Sequence, residues 1–331
     1  MDLDAYVAEH AHEWRRLEQL VGRRRLSGPE ADELLALYQR VATHLSAVQS
    51  RAPDPSLVAR LSRLVSRARA AVAGSSAPAW STFARFFVVT FPVAVYRAWP
   101  WWCGVATTFS LVSFSLMGYL GAHPELARRL APPEVLEKLV NHDFAKYYSE
   151  HPAQFFGAQV WTNNSLVAAI CLISGVLIFP VVLVLAQNAI NVGVIGGVMI
   201  AFGRADVFFG LITPHGLLEL TAVFVAAGVG LRIGWSWVAP GRFRTRGQAL
   251  AETTREGVLV ALGLVGVLAV SGAIEAFVTP SSLPTWARIG IGVIAFAGFL
   301  GYVFLFGRRA ARAGETGDLE VGLRDDVAPM A

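Results

Sequence analysis

Apolar residues recur every three or four positions from the start of the chain, which is the period of one face of an α-helix. Leu3, Tyr6, Val7, His10, Trp14, Leu17 and Val21 make the first such stripe. Gly28-Pro29-Glu30 opens a second helix, with Leu34, Leu37, Val41, Leu45 and Val48 as its stripe. Asp54-Pro55 then offers a side-chain cap followed by proline in a first helical turn, and the third helix stops at Gly74. Three short helices predict a small bundle over residues 1–78, or a spacer that docks onto a membrane domain. The stripe Leu34, Leu37, Val41 and Leu45 is expected to dock a partner or a second copy of the chain. Gly74-Ser75-Ser76-Ala77-Pro78 reads as a linker.

Beyond the linker the pattern changes to long apolar runs. Phe83, Phe86, Phe87, Phe91 and Val95, with Trp80 and Trp99 at the ends and arginines on the flanks, predict an interfacial helix that Pro92 kinks or ends. A first span covers about Trp101 to Leu120. A polar segment, 122–158, carries an amphipathic stretch through Val135, Leu139, Phe144, Tyr147 and Tyr148. Pro152 to Gly203 holds no charged residue, and a span needs about 20 residues, so two spans are expected there. A division near Gln187-Asn188 gives 160–186 and 188–212, with Arg204 and Asp206 near an outer end. A fourth span is expected to start at His215 and leave the bilayer by Arg232 to Trp237. Further spans cover about 256–278 and 286–306. The fold expected is an all-α polytopic membrane protein of six spans, with units 1–78, 79–307 and 308–331.

Composition agrees. The 331 residues are 54% hydrophobic and only 16% charged, where a soluble domain carries about 25% charged residues. Net charge is +4, and the arginines cluster beside apolar runs, which fits membrane flanks and argues against a nucleic-acid partner. The start of the chain has no short apolar core of the kind that marks a cleavable signal. With six spans the N-terminal region, the loop arginines Arg242, Arg244 and Arg246, and the tail arginines Arg308, Arg309 and Arg312 share one side. The positive-inside rule makes that side the cytoplasm, so both termini are expected there, in the plasma membrane, with 122–158 outside. Cys103 and Cys171 sit inside apolar runs and read as buried free thiols.

The candidate chemistry lies in the apolar part. Pro214-His215-Gly216 with Glu219 puts a histidine and a carboxylate one helical turn apart, where ionisable groups are costly. A hydrogen bond fixing the start of the fourth span is the simplest role. The spacing is not that of a zinc protease and no third ligand is evident, so no metal, cofactor or catalytic set is expected. Asn163 and Asn164 open the second span, and Asn188 and Asn191 precede Gly193, Gly196 and Gly197. They suggest either a tight helix hairpin or a polar groove shared by Asn164, Asn188, Asn191, His215 and Glu219. Glu275 ends a long uncharged stretch, and pairs with Arg204 or Arg288 or shares the site of Glu219.

The chain resembles the stage II sporulation protein M family of bacterial membrane proteins. Pro214-His215-Gly216 with Glu219 matches that family's PHGxxE element, followed by the small-residue run Ala226 to Leu231. Asn188…Asn191-Val192-Gly193, the pair Asn163-Asn164 and Ile274-Glu275-Ala276-Phe277 resemble its other elements over about 80–307. The resemblance implies a non-enzymatic scaffold or assembly factor of the cell envelope, holding peptidoglycan-remodelling partners such as hydrolases at the bilayer, with a homodimer among the arrangements expected. The residues themselves leave two alternatives. One is a transporter or channel with a polar path lined by Asn188, His215, Glu219 and Glu275. The other is a metal-dependent membrane hydrolase.

Overall fold

A computed structural model describes residues 3–23, 26–51, 54–72, 79–146 and 153–317. Among these, every regular element is helical. The chain divides into two compact units, Met1–Phe83 and Ala84–Ala331.

The first unit is built from α1 (Leu3–Val21), α2 (Gly28–Arg51) and α3 (Pro55–Val72). Their starts obey the local chemistry. Ser27 donates both its amide and its hydroxyl to Glu30 Oε2 at the head of α2, at 2.9 and 2.8 Å, and Asp54 Oδ1 accepts from the Leu57 amide at 2.7 Å at the head of α3. The stripes meet in one core of Trp14, Leu17, Leu20, Leu34, Leu37, Val41, Val48, Leu61, Leu64 and Ala68. This corrects the docking expectation. Leu34, Leu37 and Val41 are at most 3% exposed and are consumed inside the unit itself. Arg16 grips both oxygens of Glu33 at 2.8 and 2.6 Å, joining α1 to α2 at the rim.

The second unit holds the membrane-spanning helices. The chain enters it at the end of α4 (Ala79–Arg85), which runs through a π turn, Phe86–Thr90, into α5 (Phe91–Arg97), where Pro92 stands in the first turn. Trp80, Phe83 and Val88 point outward, whereas Phe91 to Val95 are buried. α6 (Trp99–Ala122) is the first span. Short helices α7 (Pro124–Ala127), α8 (Pro133–Lys138) and α9 (Phe144–Lys146) come next. They bury Ala127, Leu136 and Val140 against Met117, Met199 and Phe208. The buried face of this segment is thus Leu136 and Val140, and Val135 faces out. Tyr147 and Tyr148 lie outside the described residues.

The remaining spans are α10 (Ala153–Ile173) with a 3-10 turn to Leu177, α11 (Phe179–Ala201), α12 (Ala205–Val238), α13 (Arg246–Ala273) with a π turn to Val278, and α14 (Thr285–Tyr302), which winds on through a π turn into α15 (Arg308–Arg312). Together with α6, six stretches among the described residues are long and apolar enough to cross a membrane. Two sequence expectations change. The division inside the uncharged run falls at Ile178, not at Gln187-Asn188. Ile178 has φ +60° and bonds back to Gly175, and Pro180 then stands in the first turn of α11. Asn188 continues the helix, because its side chain donates to the Val184 carbonyl one turn back at 2.8 Å. The fourth span also starts earlier. α12 begins at Ala205, capped by the Gly203-Arg204 turn, and Pro214 lies inside it.

α12 is the central helix. Its run Ala222 to Gly230 is buried without interruption. A Cβ on Gly228 would overlap the backbone of Trp102, and one on Gly230 would overlap the carbonyl oxygen of Cys171, so α6 and α10 seat directly on α12. Gly193 and Gly197 of α11 meet Leu116 and Leu120 of α6 in the same way. Cys103 and Cys171 are free thiols.

Candidate functional site

The polar site forms where two helices depart from regular geometry. On α12, Pro214 lacks the amide that would bond one turn back, and the backbone of Gly292 on α14 closes against it. His215 and Glu219 come after it, one turn apart. On the other side α13 passes into the π turn Ile274–Val278, closed by the Thr279 amide on the Ile274 carbonyl at 3.0 Å. Such turns re-aim a side chain and often mark functional positions. This one points Glu275 back at α12.

His215 Nε2 stands 3.8 Å from Glu275 Oε1, and both side chains are buried. His215 Nδ1 is 3.2 Å from Thr279 Oγ1, whose hydroxyl reaches the Ile274 carbonyl at 3.4 Å. Ser271 Oγ donates to the His215 carbonyl at 3.1 Å, tying α13 to α12 through the backbone. Glu219 lies within hydrogen-bonding reach of Ser271 and of Asn164 on α10. One potential ligand atom from each of His215, Glu219 and Glu275 lies within 4.8 Å of the others.

The residues singled out from the sequence separate into two groups. Asn164, His215, Glu219 and Glu275 come together, with Pro214 and Gly216 buried beneath them. Glu275 shares the Glu219 site, while Arg288 bonds the Thr279 carbonyl at 2.6 Å and Thr285 at 3.0 Å. Asn163, Asn188 and Asn191 face outward instead. The groove drawn through Asn188 and Asn191 therefore does not form, nor does a path lined by Asn188 with His215, Glu219 and Glu275. His215 fixes no helix start either, since α12 begins ten residues earlier.

Ser271 and Thr279 complete the site, and neither stands out in the sequence by itself. Each stands four residues from Glu275, one on either side, so the signal was a polar stripe at one-turn spacing in an apolar helix. A further pair between α12 and α13 lies nearer the helix end. Arg232 Nη1 bonds Glu256 Oε2 at 2.7 Å between α12 and α13.

In the comparisons with known proteins, no curated protein and no solved structure matches the chain. A family model described as a domain of unknown function matches residues 4–74, the three-helix unit. The model for stage II sporulation protein M matches residues 78–280 and takes in each element of the site, from Asn164 through His215 and Glu219 to Glu275 and Thr279. With well over half its length matched and six helices fit to cross a bilayer, this chain belongs to the stage II sporulation protein M family of membrane proteins.

Proposed function

We propose that the protein is a non-enzymatic scaffold or assembly factor of the bacterial cell envelope. It lies in the plasma membrane with both termini in the cytoplasm, and holds protein partners there, peptidoglycan-remodelling enzymes among them. Family membership sets the frame. The observation that carries the reading is the outward face of α11. Gln187, Asn188 and Asn191 stand near the middle of this span and all three are exposed. Asn188 places one amide hydrogen on the Val184 carbonyl, but its remaining amide groups and those of Gln187 and Asn191 face lipid tails that offer no hydrogen-bond partner, whereas a neighbouring transmembrane helix supplies one. The arginines of the loop before α13 and of α15 support the orientation, since six spans bring both to the same side as the N-terminal unit.

A photo-crosslinking residue placed at Asn188 or Asn191, in native membranes, tests this. Discrete protein adducts are expected from both positions. The same probe at Ile294, an exposed apolar position on α14, should give lipid adducts only. Lipid adducts alone at all three positions would remove the scaffold reading.

A further inference from the structure

The polar site holds more acceptor oxygen than its hydrogen bonds use. Glu219 Oε2 and Glu275 Oε2 are both buried, and neither has a hydrogen-bond partner among the described residues. Glu275 is only 4% exposed. The neighbouring hydroxyls are directed elsewhere: Ser271 donates to the His215 carbonyl, and Thr279 to the Ile274 carbonyl. With its proton so used, Thr279 Oγ1 is an acceptor toward His215 Nδ1. Nδ1 is then the protonated nitrogen, and the Nε2 lone pair is turned toward Glu275 Oε1, 3.8 Å away. That distance is too long for a hydrogen bond. Two carboxylates, each with a buried oxygen that no hydrogen bond uses, in a medium of low dielectric call for a positive charge beside them.

We propose that His215, Glu219 and Glu275 form the binding site of one divalent transition-metal ion of the Zn2+ class. The ligands are His215 Nε2 and one oxygen of each carboxylate. Zinc takes imidazole nitrogen and carboxylate oxygen at about 2.0–2.2 Å, so two ligand atoms on one ion stand roughly 3–4 Å apart. The three atoms here, within 4.8 Å of one another, need only close by a fraction of their present spacing. The Nδ1–Thr279 bond is the outer contact that fixes a metal-bound imidazole in its tautomer. One imidazole beside two carboxylates favours a transition metal over Mg2+ or Ca2+, which prefer oxygen alone. The ion ties α12 to the π turn of α13, and reaches α10 through Glu219 and Asn164. The site stands whether or not the chain acts as a scaffold.

His10, Glu13 and His44 of the first unit also lie within 4.8 Å of one another. Glu13 pairs there with Arg40 at 3.1 Å, and His44 Nδ1 accepts from Trp14 Nε1 at 3.3 Å, so those groups have other duties. A His44→Gln background removes that cluster from the measurement.

The full-length chain in this background, freed of any affinity tag and stripped with EDTA in detergent, is titrated with ZnCl2 and separately with CoCl2. One equivalent of Zn2+ per chain is expected, with a melting temperature raised by several degrees and no response to MgCl2. Bound Co2+ should show visible absorption. Glu275→Gln, Glu219→Gln and His215→Gln should each lose the equivalent and the melting shift while remaining monodisperse. Absence of Zn2+ uptake by the parent chain overturns the proposal, and if the parent binds, any one variant that folds decides the site. Uptake unchanged in that variant overturns it.

Discussion

His215 Nε2 and Glu275 Oε1 face each other at 3.8 Å from two different spans. Each stands where its helix is irregular, beside Pro214 on α12 and inside the π turn that ends α13. A regular helix on both sides would have kept these side chains in register with their own neighbours. The irregularities turn two polar groups inward at one depth, where the cost of burying them alone would be high. The close packing around α12 holds that arrangement, and it can be tested residue by residue.

Gly230→Ala should destabilise the membrane unit. The added carbon would overlap the backbone carbonyl of Cys171, which cannot rotate away as a side chain could. Overpacking of this kind costs about 1–3 kcal/mol. Gly104 on α6 has nothing within 4 Å of the same position. Gly104→Ala should therefore be neutral or gain up to about 1 kcal/mol from lower chain entropy. Thermal unfolding of the two proteins in detergent gives the comparison, and equal melting temperatures would contradict the packing described.

Arg232 and Glu256 pair at 2.7 Å with the carboxylate side chain 9% exposed. Arg232→Gln removes the paired cation from a buried carboxylate and should cost about 3 kcal/mol. Arg232→Met combined with Glu256→Leu removes both charges and should recover most of that loss. A double variant as unstable as the single one would mean that the pair does not set the stability of this end.

Much of this was legible in the chain, for identifiable reasons. Long uncharged runs announced the spans, and Asp54-Pro55 announced the head of α3, because each feature acts locally. The division at Ile178 was missed because polarity at Gln187-Asn188 outweighed Pro180, yet an asparagine can satisfy itself on the carbonyl one turn back. The helix through Pro214 was missed because proline usually marks a start. In the site, His215 and Glu219 were visible as one-turn neighbours. Their meeting with Glu275, Ser271 and Thr279 depends on how α12 and α13 pack, which no local pattern contains. The stripe of α2 was seen correctly, but periodicity alone does not say whether a stripe meets its own unit or a partner.

The orientation can be read by labelling single cysteines in a background without Cys103 and Cys171. Glu125 and Phe243 are both exposed, on opposite sides of an odd number of spans. A membrane-impermeant thiol reagent applied to intact cells should label Glu125→Cys and leave Phe243→Cys until the membrane is opened. The reverse pattern would invert the topology, and labelling of both from outside would contradict six spans.

The first unit should lose stability in mild acid. His44 is half-buried against His10 and Trp14, with Glu13, Arg40 and Glu9 around it. Burial first, and the neighbouring His10 second, hold its imidazole below the ordinary 6.5. Between the lowered value and 6.5 the unfolded chain binds the proton more readily than the folded unit. The contribution of neutral His44 is therefore whole above pH 6.5 and declines as pH falls through that window. Residues 1–83 made alone should show a helical circular dichroism spectrum and a midpoint that drops on acidification, and His44→Gln should flatten the drop. An unchanged slope would assign the acid sensitivity to another group.

Glu219 is the member of the site whose replacement separates hydrogen bonding from mere volume. Its carboxylate lies in reach of Asn164 on α10 and Ser271 on α13, so it joins three spans. Glu219→Gln keeps an acceptor oxygen of the same size in the same place. Glu219→Leu fills the space but leaves the Asn164 amide without that acceptor in an apolar setting, which costs about 1–3 kcal/mol. In EDTA, where no ion contributes, the glutamine protein should melt close to the parent and the leucine protein clearly below it. Asn164→Leu added to Glu219→Leu should then recover part of the loss, because the stranded donor is gone. If glutamine and leucine are both harmless, the Glu219 side chain lies in water or among lipid headgroups and does not join the spans. If both are equally damaging in EDTA, the charge of Glu219 matters to the fold even without an ion, and hydrogen bonding alone does not account for its place on α12.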